Sequence, residues 1–385
     1  MQFTPALLER LDGSFHHLKT PLVDAPAAQR DPAVIETVSK MLGDIQRRGL
    51  DAVLDYARSL DRYAGGDIEL TSAQIASSGD RLAPDLRAAI ELGSERTKAF
   101  AAEQRGRLHD FETELVPGLT TGVRYVPVSR VGAYLPAGRF PLTASAFMTV
   151  GVAKAAGVPT VIACTPPQPD GGANDAVVYA AHLSGVDRVF VLGGVQALAA
   201  MAYGLLGDLP VDMLVGAGNA FVAEAKRQLF GTVAIDLLAG PSEVAVLSDD
   251  SADPEIVAAD LLGQAEHGPN SPAALVTTSD AHGRAVMAAV DRQLETLATE
   301  PIAGPAWRDY GTVTVAADRD VAVALMDDLA PEHLEVITTD DAWYHDNLRN
   351  YGSLFLGTWS TVAYSDKGMA GMNMALRDFA SREAA

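Results

Sequence analysis

The stretch Arg188-Val-Phe-Val-Leu-Gly-Gly-Val-Gln196 decides the fold. Its apolar run is the length of a short buried strand, two glycines break it, and a helical pattern begins at Gln196. The same figure recurs on both sides. Val131-Gly-Ala-Tyr-Leu-Pro136 reads as a strand closed by a Pro/Gly turn, with a helix over 144–156. Thr160 to Cys164 reads as a strand, and Asp175 to Leu183 as a helix. Met213 to Val215 is a strand, Gly216-Ala-Gly-Asn219 a turn, and the next helix runs to Phe230. Short apolar strands alternating with helices predict a parallel sheet with helices on its faces. The glycine breaks fall at strand C-termini, where such sheets bind ligands.

A second series starts at Glu243. Strands are expected at 243–247, 274–277, 312–315, 334–338 and 353–356, with helices over 254–267, 280–297 and 320–329. Ahead of both series the chain is mainly helical. Asp31-Pro32 opens one helix, Gly49 closes it, and another runs from Pro84 to Arg105. The expected fold is therefore α/β, with two doubly wound, Rossmann-like parallel-sheet domains, one inserted in the other, and a helical N-terminal region. The expected boundaries are an arm over 1–25, an outer domain over 26–133 and 243–385, and an inserted domain over 134–242.

Composition limits the partners. The 385 residues are 48% hydrophobic and 21% charged, and 29 basic against 50 acidic side chains leave a net charge of −21. Such a chain repels nucleic acid and anionic membrane surfaces. No apolar run is long enough to span a bilayer, and the start lacks a signal-peptide pattern, so the cytoplasm is the expected location. The single cysteine, Cys164, ends an apolar run and reads as a buried small residue; alone it excludes an intramolecular disulfide framework.

Reactive side chains concentrate in two segments. Gln264-Ala-Glu-His267 closes a predicted helix, where residues three apart share a face and can aim an amide oxygen and an imidazole at one point. Asp366 could add a carboxylate; mixed N and O ligands suit a zinc ion with an open position. A surface or capping role for Gln264 and His267 is the plain alternative. Pro331-Glu332-His333 precedes a strand, and adjacent strand residues point to opposite faces, so this pair serves one site only at an element end. There an imidazole could take an alcohol proton and a carboxylate could activate water; a capping Glu beside a half-exposed His is the alternative. Gly216-Ala-Gly-Asn219 is a partial nucleotide fingerprint without its third glycine, and Gly193-Gly194-Val-Gln196 is equally ambiguous. Ser242 is a substrate contact or a turn-stabilising residue.

The quoted segments, with Val131-Gly-Ala-Tyr-Leu-Pro-Ala-Gly, Phe230-Gly-Thr-Val-Ala-Ile-Asp, Ala239-Gly-Pro-Ser-Glu and Ala330-Pro-Glu-His-Leu-Glu, resemble the histidinol dehydrogenase family from about Arg124 to Asp366. Gly138-Arg-Phe-Pro-Leu, Trp307-Arg-Asp-Tyr-Gly and Ser365-Asp-Lys are more similar to its sulfopropanediol dehydrogenase branch. The resemblance implies oxidation of a primary alcohol through an aldehyde to a carboxylate, with NAD and zinc as cofactors. The alcohol is then small and polar or anionic, such as 2,3-dihydroxypropane-1-sulfonate or L-histidinol, and the assembly a homodimer.

Position by position, Tyr134, Gln196 and Asn219 resemble the NAD contacts, and Gln264, His267 and Asp366 three zinc ligands. Glu332 and His333 resemble the acid/base pair. Ser242, with Gln264, His267, His333 and Asp366, resembles the substrate-binding set, and Arg139 is a candidate partner for an anionic group. The family's tail brings a further histidine ligand and a substrate-binding glutamate. Here the text is Gly371-Met-Asn-Met374-Ala-Leu, and no histidine follows His345. Two other classes stay open: an impaired relative that still binds NAD or a small ligand, and a structural subunit.

Overall fold

In the computed structural model, residues 3–23, 31–137, 141–169, 171–207, 209–238 and 242–362 are described. They divide into two compact units, one of residues 31–238 and one of residues 3–23 with 242–362.

In the unit of 31–238 the strand Arg130–Tyr134 sits centrally. Its parallel neighbours are Thr160–Thr165 on one side and Met213–Val215 on the other. Across the sheet the order is Arg188–Val191, Thr160–Thr165, Arg130–Tyr134, Met213–Val215, Ala234–Ile235, all parallel. Alternation along each strand makes two cores. Val131, Ala133, Val161, Ala163 and Val189 face one, under the helices Pro84–Gly106 and Asp175–Ser184. Ile162, Cys164, Phe190 and Leu192 face the other. Cys164 is fully buried, as expected, and burial pushes its thiol far above the usual range.

The helix Pro32–Arg48 begins where Asp31 accepts the Ala33 N–H at 2.8 Å and ends at Gly49, whose φ is +64°. Its apolar stripe, Val38, Met41, Leu42 and Ile45, packs with Ala52, Val53 and Ala57 of the helix Leu50–Leu60 on the second core. These helices therefore belong with the sheet of 130–235. The expected outer domain had joined 26–133 to 243–385, with a boundary at 133/134. That boundary falls inside a central strand, and covering the sheet's exposed face decides the division instead.

The unit of 242–362 has a sheet in the order Phe15–Lys19, Thr312–Ala316, Ala273–Thr277, Val244–Ser248, His333–Ile337, Ser353–Leu356. The last five are parallel, while Phe15–Lys19 pairs antiparallel at the edge, so the segment expected as an arm is an edge strand behind the short helix Pro5–Arg10. The helices Pro254–Ala265, Asp280–Leu294 and Glu300–Tyr310 cover one face, and Arg319–Leu329 and Asp341–Asn347 the other. Among the described residues no helix is long and apolar enough to cross a membrane.

Candidate active site

In the unit of 242–362, Val244–Ser248 and His333–Ile337 are parallel neighbours with His333 opposite Val244, so Ser242, Glu243, Glu332 and His333 gather at the amino edge of the sheet. The helix Pro254–Ala265 leads from the far end of Val244–Ser248 back across the sheet and delivers its last turn to the same edge. There Gln264, 3% exposed, donates from Nε2 to the Ser242 carbonyl at 2.9 Å. Its Oε1 is buried and meets no donor among the described residues. The helix stops at Ala265, so His267 lies just beyond it; its N–H bonds the Gln264 carbonyl at 3.1 Å and its side chain is exposed.

His333 is 8% exposed, and its Nδ1 lies 3.0 Å from the Glu243 carbonyl. A carbonyl only accepts, so Nδ1 carries the hydrogen, and the lone pair of the corresponding neutral tautomer is at Nε2. Glu332 precedes the strand, as the pair's joint use requires, with Oε2 at 3.9 Å from His333 Nδ1. That oxygen is buried without a hydrogen-bond partner among the described residues. The Glu332 backbone is clamped: Gly352 N–H donates to Pro331 O at 2.9 Å and Ser353 N–H to Glu332 O at 2.8 Å. A Cβ on Gly352 would lie 2.5 Å from Glu332 O, so the clamp requires glycine. Just upstream, Ala330 takes a left-handed φ of +46°, a conformation unfavourable for a residue with a Cβ.

Two carboxyl groups that sequence reasoning missed lie behind this edge. Glu335 is fully buried on the same side of its strand as His333, and its Oε1 accepts the Val362 N–H at 3.0 Å. Burial, then the facing charge of Asp260, pushes its carboxyl up to about 8, and burial raises Asp260 as well. Alternation within Leu334-Glu-Val gives no sign of a buried acid, because an outward-facing Glu has the same pattern.

In the unit of 31–238, Tyr134, Gln196 and Asn219 each lie at or just beyond the carboxyl end of a strand of one sheet. Tyr134 ends its strand, is 6% exposed, and accepts the Gly194 N–H on its hydroxyl at 3.1 Å. Burial pushes that hydroxyl up to about 12. Gly216 has φ +119°, and a Cβ there would lie 2.3 Å from Tyr134 O, so only glycine lets the two turns meet. The Gly216 turn is held by the buried Lys226–Asp236 ion pair: Lys226 Nζ donates to Gly216 O at 2.9 Å, and Gly216 N–H to Asp236 Oδ2 at 2.7 Å. Asn219 caps the helix Ala220–Leu229, accepting from Phe221 and Val222 N–H on Oδ1, with its side chain exposed. Gln196 is 1% exposed and donates Nε2 to Asp61 Oδ2 at 2.7 Å, while its Oε1 is buried without a donor among the described residues. Asp61 is a further residue without a sequence signal; burial raises its carboxyl, against the hydrogen bonds from Gly193 and Gln196.

Arg139 and Asp366 lie outside the described residues, as do Gly240 and Pro241. Among the described residues no three His, Cys, Asp or Glu side chains are placed to hold a metal ion. Gln264 and His267 are the two members of the expected ligand set that can be located.

Comparison with known proteins shows the family of the chain. The family model described as histidinol dehydrogenase matches residues 25–377. A histidinol dehydrogenase homolog of Shouchella clausii is 46% identical over 87% of this chain and 78% of its own length. A sulfopropanediol 3-dehydrogenase of Ruegeria pomeroyi is also 46% identical, over 89% of this chain and 79% of its own. The crystal structure of histidinol dehydrogenase from Elizabethkingia anophelis superposes with a TM-score of 0.86 at 30% identity, covering 94% of this chain and 84% of that one.

Proposed function

This chain belongs to the histidinol dehydrogenase family and is an NAD-dependent dehydrogenase, and from that premise we propose that it oxidises a primary alcohol through an aldehyde to a carboxylate, using zinc. The observation that carries the reading is His333. With Nδ1 committed to the Glu243 carbonyl, Nε2 is the base, and Glu332 stands beside the ring with a buried oxygen that has no hydrogen-bond partner among the described residues.

In the first step His333 Nε2 takes the hydroxyl proton while the carbinol C–H leaves as hydride to NAD, giving the aldehyde. Glu332 then removes a proton from water as the oxygen adds to the aldehyde carbon. As the oxygen adds, protonated His333 returns its proton to the former carbonyl oxygen, which completes the hydrate and frees Nε2. The hydrate then loses a hydroxyl proton to His333 and a second hydride to a second NAD. The product is the carboxylate, and two NADH form per alcohol.

The donor set fits a metal. Gln264 has its amide nitrogen tied to Ser242 O and its oxygen left without a donor, as a cation ligand requires. His267 and Asp366 would complete a mixed N and O set, and bound zinc would hold the alcohol oxygen and polarise it. Tyr134, Gln196 and Asn219 would hold the dinucleotide. The strand order of their unit reverses between Arg130–Tyr134 and Met213–Val215, where Tyr134 ends one strand and Asn219 follows the other, while Gln196 follows the edge strand Arg188–Val191. A reversal of this kind is where doubly wound, Rossmann-like sheets bind ligands, and it supports the reading of a dinucleotide site.

For the substrate we favour a small anionic diol, 2,3-dihydroxypropane-1-sulfonate, over L-histidinol. The relative named sulfopropanediol 3-dehydrogenase is 46% identical, against 41% for the histidinol dehydrogenase of Cereibacter sphaeroides. Arg139 is the proposed partner of the sulfonate. The active form on this reading is a homodimer. The test is NADH formation by the zinc-loaded protein with each alcohol. Turnover of the sulfonate diol above L-histidinol supports the assignment; the reverse order replaces the substrate. Binding of zinc and NAD without turnover of any primary alcohol would make the protein a binding relative instead.

A further inference from the structure

Asp61 follows the helix Leu50–Leu60, and its N–H closes the last turn on Ala57 O at 3.0 Å. Its carboxylate reaches the Gly193-Gly194 turn of the same unit, where Oδ2 accepts both the Gly193 N–H at 2.9 Å and Gln196 Nε2 at 2.7 Å. A carboxylate has no proton to give, so the Gln196 amide has one orientation, nitrogen toward Asp61 and oxygen away from it. The oxygen is left buried with no donor among the described residues, a costly state unless a ligand supplies one. It borders the bare α-carbon of Gly194, where a Cβ would lie 3.3 Å from it. Tyr134, whose hydroxyl takes the Gly194 N–H, closes the same turn.

Resting on the reading of Gln196 as a cofactor contact, we propose that Asp61 is a positioning residue of the dinucleotide site, which sets the amide of Gln196 so that an acceptor oxygen meets an N–H or O–H donor of NAD. The carboxamide nitrogen and the ribose hydroxyls of the cofactor are donors of that kind. Asp61 acts through Gln196 and makes no contact of its own with the reacting atoms. Both are supplied by the unit that carries Tyr134 and Asn219.

The experiment is equilibrium binding of NADH, read by fluorescence, to the full chain and its variants, with thermal unfolding of each as a control for folding. Gln196→Ala and Asp61→Asn are each expected to weaken NADH about tenfold, and the double variant no more than Gln196→Ala alone, because both remove one interaction. Gln196→Glu sets two carboxyl groups face to face and loses binding. Adding Asp61→Asn restores a donor–acceptor pair, since Asn can donate to Glu and accept from Gly193, and affinity recovers. A purely structural Asp61 would give losses that multiply and no recovery in the swapped pair; either result overturns the inference. Normal binding by Asp61→Asn beside weak binding by Gln196→Ala overturns it while leaving the cofactor site in place. Normal binding by Gln196→Ala removes both the cofactor reading of Gln196 and the inference.

Discussion

Gln264 and Ser242 are joined by a hydrogen bond of 2.9 Å from amide nitrogen to main-chain carbonyl, and that bond leaves Gln264 Oε1 buried with no donor among the described residues. The geometry suits an oxygen that meets a cation. Replacing Gln264 by Ala is expected to lower zinc affinity at least about tenfold, the scale seen when a metal site loses a supporting group. Metal titration of the variant checks this, and zinc affinity equal to the parent would contradict it.

His333 has one ring nitrogen committed to the Glu243 carbonyl and the other available as a base. His333→Ala is expected to slow alcohol oxidation by about 10²–10⁴, the range for a lost general base, while zinc content stays at the parent level. Initial rates of NADH formation together with metal analysis separate the two effects. A variant retaining most of its rate would remove His333 from the chemistry.

The clamp on Glu332 gives a third expectation. A Cβ on Gly352 would lie 2.5 Å from Glu332 O, and a backbone atom cannot step aside as a side-chain end can. Gly352→Ala should displace Glu332 and lower kcat/KM by about tenfold or more, because small misplacements of reacting groups are expensive. Unchanged kcat/KM in a folded Gly352→Ala protein would show that the position of Glu332 is unimportant.

Glu335 and Asp260 make stability depend on pH. The Glu335 carboxyl, ordinarily at 4.5, is pushed up to about 8 by burial and by the facing Asp260. Between these values the folded protein holds a proton that the unfolded chain has released, so stability falls as pH rises through this window and levels off above it. At about 1.4 kcal/mol per pH unit the loss amounts to a few kcal/mol. Glu335→Gln has no such proton, and its urea midpoint should change much less than the parent's between about pH 5 and about pH 8. Equal slopes for the two proteins would contradict the buried-acid account.

Much of the fold was legible because its strands are short apolar runs closed by glycine. The strands at 130–134, 160–165, 188–191 and 213–215 lie where the pattern placed them, within a residue or two. Other elements carried no such signal. The hairpin of Phe111–Val116 and Leu119–Val123 is exposed on both faces, so burial imposes no alternation on it. The helix Glu300–Tyr310 holds Pro301 and Pro305, which read as breakers. The edge strand Phe15–Lys19 is defined by its partner Thr312–Ala316, some 300 residues away, and pairing at that separation leaves no local trace. Within the site, Gln264, Glu332 and His333 were visible as neighbours in short motifs. Asp61 and Asp260 act across the fold on groups remote in sequence, and only tertiary packing discloses their partners.

The central claim is a four-electron oxidation in which His333 serves both hydride transfers and Glu332 supplies the water oxygen between them. The most direct measurement is the number of NADH formed per molecule of primary alcohol consumed by the zinc-loaded protein, with the carbon product identified. The account predicts two NADH and a carboxylate in the parent, and one NADH with released aldehyde when Glu332 is replaced by Gln. One NADH and an aldehyde from the parent protein, or no NADH from any primary alcohol, would contradict it.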